Sequence, residues 1–326
     1  MGQQRDNSHV IGDVAPVLAW QRVAEWLRPL AALIVMGVIL SFASPHFLTP
    51  NNLATVAVQA SAVAILAVAE TMVIISGNID LSVGSVLALC GCAAALLMRS
   101  GVGIAPSVLL GVALGVGVGT LSGALTAFGR MPSFIVTLGM MGIARGAALI
   151  ITGGVNVFGV PQRFADLSMA RRVGIPLPAL LAGAVAVAAH VVLTRTSLGR
   201  SIYAIGGNPE AARLSGIPVK RVVTIIFAIA GLLSALAGLA LTSRLSIGQP
   251  TAGVGYELDA IAAAVIGGAS LMGGQGTVAG TLIGALIMAV LRNGCDLLRV
   301  PVFWQQVAIG VIIIAAVFLD QFRRRR

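Results

Sequence analysis

Apolar positions in this chain neither alternate nor form a narrow stripe; they come in long runs separated by short polar breaks. A helix that crosses a bilayer needs about 20 mostly apolar residues. Measured against that length, the chain divides into about ten segments. They cover residues 30–47, 53–76, 82–98, 107–128, 134–152, 177–194, 222–242, 257–271, 277–291 and 302–319. The third, eighth and ninth are short or broken by glycine, which leaves six or eight as alternative counts of full spans. The predicted architecture is an all-α membrane protein of about ten transmembrane helices, eight being the alternative. Around the membrane domain (29–322) lie a polar N-terminal segment (1–28) and a basic tail (323–326), and a polar loop at 195–221 interrupts it.

The pattern repeats. Gly111, Gly115, Gly119 and Gly123 recur every four residues in the fourth segment, and Gly276, Gly280 and Gly284 do so at the ninth. Such ladders make grooves along which another helix approaches closely. Each follows an apolar helix opened by an acidic stretch, "GNIDLSVG" at 77–84 and "GYELDAIA" at 255–262. The second and seventh segments start on opposite sides of the membrane, so the halves are expected to be inverted repeats, an arrangement common in transporters. Close packing with no transport role is the plainer reading of the ladders.

Composition removes whole classes of function. Hydrophobic residues make up 58% of the 326 and charged residues only 10%, and mean hydropathy is +1.00. A soluble domain carries about 25% charged residues, so this chain could not cover a water-facing surface. The net charge of +10 is not a nucleic-acid face, since no basic surface alternates with stacking aromatics. The basic residues cluster outside the apolar runs instead, as the positive-inside bias produces. An even number of spans places Arg5, Arg22, Arg28, Arg130, the 195–221 loop and Arg323–Arg326 on one side. Arg99, Arg163, Arg171, Arg172, Arg292 and Arg299 fall on the other. The larger set marks the cytoplasm, with both termini there. No cleavable signal is expected at the N-terminus, which is polar and carries acids.

Few groups suit chemistry. Cys90, Cys92 and Cys295 suggest neither a disulfide framework nor a metal site, and no metal is expected. Gly268, Ala269 and Ser270 resemble a nucleophile turn, with His190 as a conceivable base. His190, His46 and His9 nevertheless lie apart, no third orienting group is evident, and no HExxH zinc motif occurs. Intramembrane polar groups are the better clue, because each is costly unless paired or facing water. Glu70, Asp80, Ser82, Glu257 and Asp259 are therefore the candidate lining of a substrate path. Capping is the default for those at helix N-termini, and Glu70 and Arg145 lie at similar depths, which suggests a pair. Trp304 fits an interfacial anchor; Gln305 and Gln306 beside it could touch a hydroxylated solute.

The most informative polar stretch is 194–221, "TRTSLGRSIYAIGGNPEAARLSGIPVKR". Asn208 is a good N-cap and Pro209 suits the first helical position. Glu210 and Arg213 complement the helix dipole, while Gly216 and Pro218 stop the helix. A two-turn helix at 209–215 is predicted on the cytoplasmic surface, with Ala211, Ala212 and Leu214 available for contact. It either fits a cleft on a partner or merely ties two spans together. This loop resembles that of the ribose-type sugar permeases of ABC importers, within the branched-chain amino acid/ribose permease superfamily. "PSFIVTLGMMGIARG" (132–146), "GYELDAIAAAVIGGASLMGG" (255–274), "GTLIGALIMAVL" (280–291) and "FWQQVAIGVIIIAAVFLDQ" (303–321) are similar in the same order. Asn78 and Gln275 depart from the pattern, standing where glycine and a basic residue are usual.

The resemblance implies a non-catalytic permease in the cell inner membrane that imports a monosaccharide such as a ribose-like pentose, a hexose or a related polyol. It implies a cytoplasmic ATPase subunit docking on Asn208, Pro209, Glu210, Ala211, Ala212, Arg213, Leu214, Ser215 and Gly216. A periplasmic sugar-binding protein and a second permease copy, identical or sister, complete the set. No cofactor is expected on this chain, ATP being bound by the partner. A Walker A loop needs a lysine after glycine, whereas Lys220, the one lysine, follows valine. The rival expectation is an ion-gradient-driven secondary transporter of a small polar solute.

Overall fold

The computed structural model describes residues 14–172 and 174–324. Residues 1–13 of the polar N-terminal segment, and Arg325 and Arg326 of the basic tail, lie outside the described residues. All ten apolar segments form helix. In hydrocarbon a backbone must satisfy its own polar groups, which only a helix or closed barrel does. The chain order is α1 (Val14–Ala43), α2 (Pro50–Ile75), α3 (Val83–Arg99), α4 (Ile104–Ala127), α5 (Ser133–Thr152) and α6 (Gln162–Met169). A two-residue hairpin follows, β1 (Arg171–Arg172) against β2 (Ile175–Pro176). Then come α7 (Leu177–Arg195), α8 (Ser197–Gly207), α9 (Pro209–Leu214), α10 (Val219–Leu245), α11 (Tyr256–Ile266), α12 (Val278–Leu297) and α13 (Val302–Arg324).

Six of these helices, α2, α4, α5, α7, α10 and α12, are long and apolar enough to cross a membrane. Residues Pro29–Ala43, Val83–Arg99 and Val302–Ile312 form shorter apolar helices. The eighth expected segment is cut to the 11 residues of α11. At 1.5 Å per residue that is about 16 Å, roughly half of a hydrocarbon core. Two irregular stretches flank it, residues 246–255 and 267–277. The second half of the segment expected to be polar and separate, residues 14–28, continues into the first span as one helix containing Pro29.

Helix α2 is the axis of the fold. Ile65, Leu66, Val68, Val73, Ile74 and Ile75 are fully buried on it, and a helix apolar all round belongs in the middle of a bundle. The packing then exchanges partners between halves: α10 lies on α3 and α4, while α2 lies on α11 and α12. The α4 ladder makes one of these contacts possible. A Cβ at Gly115 would stand 2.5 Å from the Gly231 carbonyl oxygen, one at Gly119 closer still to the Phe227 carbonyl, and one at Gly123 2.8 Å from both Phe227 and Thr224. Gly111 turns toward Cys90 and Ala94 of α3. On α12 the use differs: Gly280 and Gly284 face Gly267 and Ala263, at and within the end of α11. Gly276 does not share that face. It precedes the helix at φ +152°, packed on Ile75.

Polar side chains stitch the α2–α12 contact. Asn52 and Asn293 exchange amide hydrogen bonds, each 2.9 Å, and the hydroxyls of Thr71 and Thr281 meet at 2.5 Å. Connections between helices gather at two ends. At one, the Lys220 ammonium stands 5.5 Å over the Phe128 ring, joining the start of α10 to the end of α4. At the other, the Val157 and Gly248 backbones pair, and the Ser243 hydroxyl donates to the Phe164 carbonyl at 2.7 Å.

Candidate functional site

The 195–221 loop is built as two successive helices rather than one. Thr196 caps α8, its hydroxyl oxygen accepting from the Gly199 N–H at 3.2 Å. Asn208 ends α8 and starts α9, where its side-chain oxygen accepts from the N–H groups of Glu210 and Ala211, both at 3.0 Å. Gly216, at φ +83°, turns the chain out of the helix where a side chain would be strained. Helix α9 ends at Leu214, one residue before the expected boundary, with Ser215 as C-cap. Arg213 and Glu210 pair across one turn at 2.6 Å in full solvent exposure. Arg213's hydrogen bond and charge hold the Glu210 carboxyl below its ordinary range.

The contact face of α9 differs from the one expected. Leu214 is 76% exposed and Ala211 is exposed, but Ala212 is buried against the bundle at 4%. In a six-residue helix the inward face must hold something small, and Ala212 holds it. The outward surface is therefore Pro209, Glu210, Ala211, Arg213, Leu214, Ser215 and Gly216.

Helix α8, which sequence reasoning missed, connects this surface to the bundle. Gly206 lies so close to the Ile75 carbonyl and the Gly274 N–H that a Cβ there would collide with the α2 backbone. Gly274 donates its N–H to the same Ile75 carbonyl at 2.8 Å. Around this point Gly77, Gly206 and Gly273 converge, and the Tyr203 hydroxyl donates to the Gly276 carbonyl at 2.7 Å. The end of α2, the end of α8 and the 267–277 connection thus meet at one glycine-lined joint. The signal for α8 was the Thr196 cap, hidden by glycines at both of its ends.

The intramembrane candidates are packed among helices. Asp80 shapes the entry to α3: its carboxylate accepts from the Ser82 N–H at 2.8 Å and the Ser82 hydroxyl at 2.6 Å. Glu257 is half-buried and accepts from the Gly255 N–H at 3.2 Å. Asp259 is not a cap. Its carboxylate is buried and pairs with Arg292 of α12 at 2.5 Å. Glu70 is fully buried on α2, and neither of its oxygens has a hydrogen-bond partner among the described residues.

The expected Glu70–Arg145 pair does not form. Arg145 instead donates from one guanidinium nitrogen to the Pro250 and Ala252 carbonyls, at 2.6 and 2.8 Å. Those carbonyls are free because residues 246–255 are not helical, and equal depth said nothing about which way either side chain turns. Arg145 thereby fastens α5 to the irregular lead-in of α11.

Helices this long and apolar belong in a bilayer, and polar groups retained between them are costly enough to need a purpose. Their class is a multi-pass membrane permease. A family model described as branched-chain amino acid transport system / permease component matches residues 52–317, and the chain belongs to that family. It is 46% identical over 302 residues to the ribose import permease protein RbsC of Escherichia coli (strain K12), spanning 90% of this chain and 94% of that one. RbsC of Bacillus subtilis (strain 168) is 44% identical over 92% of this chain and 94% of its own length. The xylose transport system permease protein XylH of E. coli is 36% identical over 91% and 92%. No solved structure matches. The likeness to ribose-type sugar ABC permeases is thus shown, and the chain is a multi-pass protein of the inner membrane.

Proposed function

We propose that this chain is the membrane-spanning subunit of an ABC importer that carries a monosaccharide, a ribose-like pentose, hexose or related polyol. ATP hydrolysis on a separate cytoplasmic subunit drives it, and a periplasmic binding protein delivers the sugar. The observation that carries this reading is the joint between the exposed α9 and the bundle. A rigid two-helix element, capped at both starts, presents Leu214 outward and reaches the end of α2 through Gly206. Motor closure pushing on α9 would be delivered at Ile75 and at the 267–277 connection. The exchanged packing of α2 and α10 supports the inverted-repeat reading, with the two halves rocking about a central path. The 195–221 loop and both termini face the cytoplasm in this reading, and a second permease copy completes the path. Glu70, Asp80, Ser82, Glu257 and Asp259 remain the proposed polar groups along it.

One observation favours the other reading: a fully buried, unpartnered Glu70 is the kind of carboxylate a proton-driven transporter uses. Reconstitution with the ATPase subunit separates the two. If association and ATP-driven uptake require an intact 209–215 sequence, the ABC reading holds. Uptake driven by a proton or sodium gradient, with no ATPase bound, overturns it.

A further inference from the structure

Helices α7 and α10 leave a groove between them of about 470 Å³, closed at one end by α6 and on its flank by α4. Its walls are hydrocarbon, from Phe164, Leu167, Leu181, Ala184, Leu236 and Leu239. The two hydroxyls in the lining are already engaged: Ser168 donates to the Ala165 carbonyl at 2.9 Å and Ser243 to the Phe164 carbonyl at 2.7 Å. A sugar entering here would exchange its hydrogen bonds with water for none, a loss of about 1–3 kcal/mol per hydroxyl. Hydrocarbon suffers no such loss.

Pro178 and Ala240 also border a shallow recess of about 10 Å³, lined further by Val58, Ser61 and Arg244. The Ser61 hydroxyl donates to the Ala57 carbonyl at 2.6 Å. Arg244, half-buried in the last turn of α10, has neither a carboxylate nor a hydrogen-bond acceptor among the described residues. An arginine at the end of a membrane segment reaches to the interface, where lipid phosphates lie. The walls α4, α7 and α10 are all long enough to span, so the groove opens toward lipid.

We infer that this groove is a phospholipid site, with one acyl chain between α7 and α10 and the phosphodiester on Arg244. A helix of a second copy is the poorer fit. An apolar membrane helix brings no anion to Arg244, whereas a phospholipid brings both a hydrocarbon chain and a phosphodiester. The site depends on the membrane setting alone and stands whatever solute the chain transports.

The test uses the full chain in vesicles of phosphatidylethanolamine and phosphatidylglycerol, with a trace of phosphatidylglycerol photoactivatable on one acyl chain. After illumination, label concentrates in the peptides containing 177–184 and 236–243. Ala184→Trp fills the groove from an exposed position and reduces that label to background. Arg244→Gln lowers it about fivefold, the worth of one arginine against an anionic headgroup. Glycerol phosphate, which has a headgroup and no chain, does not compete. Unfolding midpoints confirm that both variants are folded, and native mass spectrometry of the wild type detects the retained phospholipid independently. Label spread evenly over all exposed helices, label unchanged in both variants, or a cross-link from the groove to a second copy would each overturn the assignment.

Discussion

The Tyr203 hydroxyl and the Gly276 carbonyl, 73 residues apart in sequence, are joined by a 2.7 Å hydrogen bond. It ties α8 to the connection that feeds α12. Tyr203→Phe removes it and keeps the ring packing. A hydrogen bond of this kind contributes about 1 kcal/mol, roughly a fivefold effect. In the importer proposed above, ATP hydrolysis should persist while sugar uptake per ATP falls by about that factor. Equal loss of hydrolysis and uptake would mean that the bond stabilises docking instead of transmitting it.

Gly119→Ala should be among the more disruptive single-methyl changes in the chain. The added carbon would strike the Phe227 carbonyl and the Gly231 backbone, and overpacking of this sort costs about 1–3 kcal/mol. Gly117→Ala, two residues away with open space around it, is the control. Thermal unfolding in detergent should show a lowered midpoint for the first and an unchanged or higher one for the second.

Breaking the Asp259–Arg292 pair leaves either a buried carboxylate or a partly buried guanidinium without its partner. Asp259→Asn should destabilise by about 3 kcal/mol, the lower end for a buried pair because Arg292 is partly exposed. Replacing both residues by leucine should recover much of that loss. A double variant no more stable than the worse single variant would show that the pair is not acting as a unit.

Glu210 gives a pH prediction with a definite sign. Its carboxyl is held below the ordinary value by Arg213, so the contribution of the pair is complete above the unfolded-state value. It is lost only as pH falls through the lower folded value. An NMR titration of Glu210 should therefore find its midpoint below that of a model glutamate, and Arg213→Ala should raise it. At neutral pH the geometry of α9 should not respond to small changes in acidity.

How much could be read beforehand depends on how locally each feature is determined. The start of α9 was legible because Asn208, Pro209 and Gly216 act on their immediate neighbours. The ten helices were legible because apolar runs in lipid have no other structure available. Arg145's acceptors were not: they are carbonyls more than a hundred residues away, exposed only because 246–255 fails to form helix. Ala212 was placed outward for a related reason, since a two-turn helix has no periodicity long enough to reveal its buried side. The glycine ladder of α4 was visible as a pattern, but the pattern did not say that α10 would occupy it while the α12 glycines turn to α11.

That crosswise embrace bears on how the chain can be made. A nascent α4 leaves the ribosome before α10 exists, so its row of glycines must wait in lipid with its backbone groove empty. The same holds for α2 until α11 and α12 arrive. Neither half can finish its own interior, and assembly must be held open until the last third of the protein is inserted. Two separately expressed halves should each be degraded alone and rescue one another when produced together.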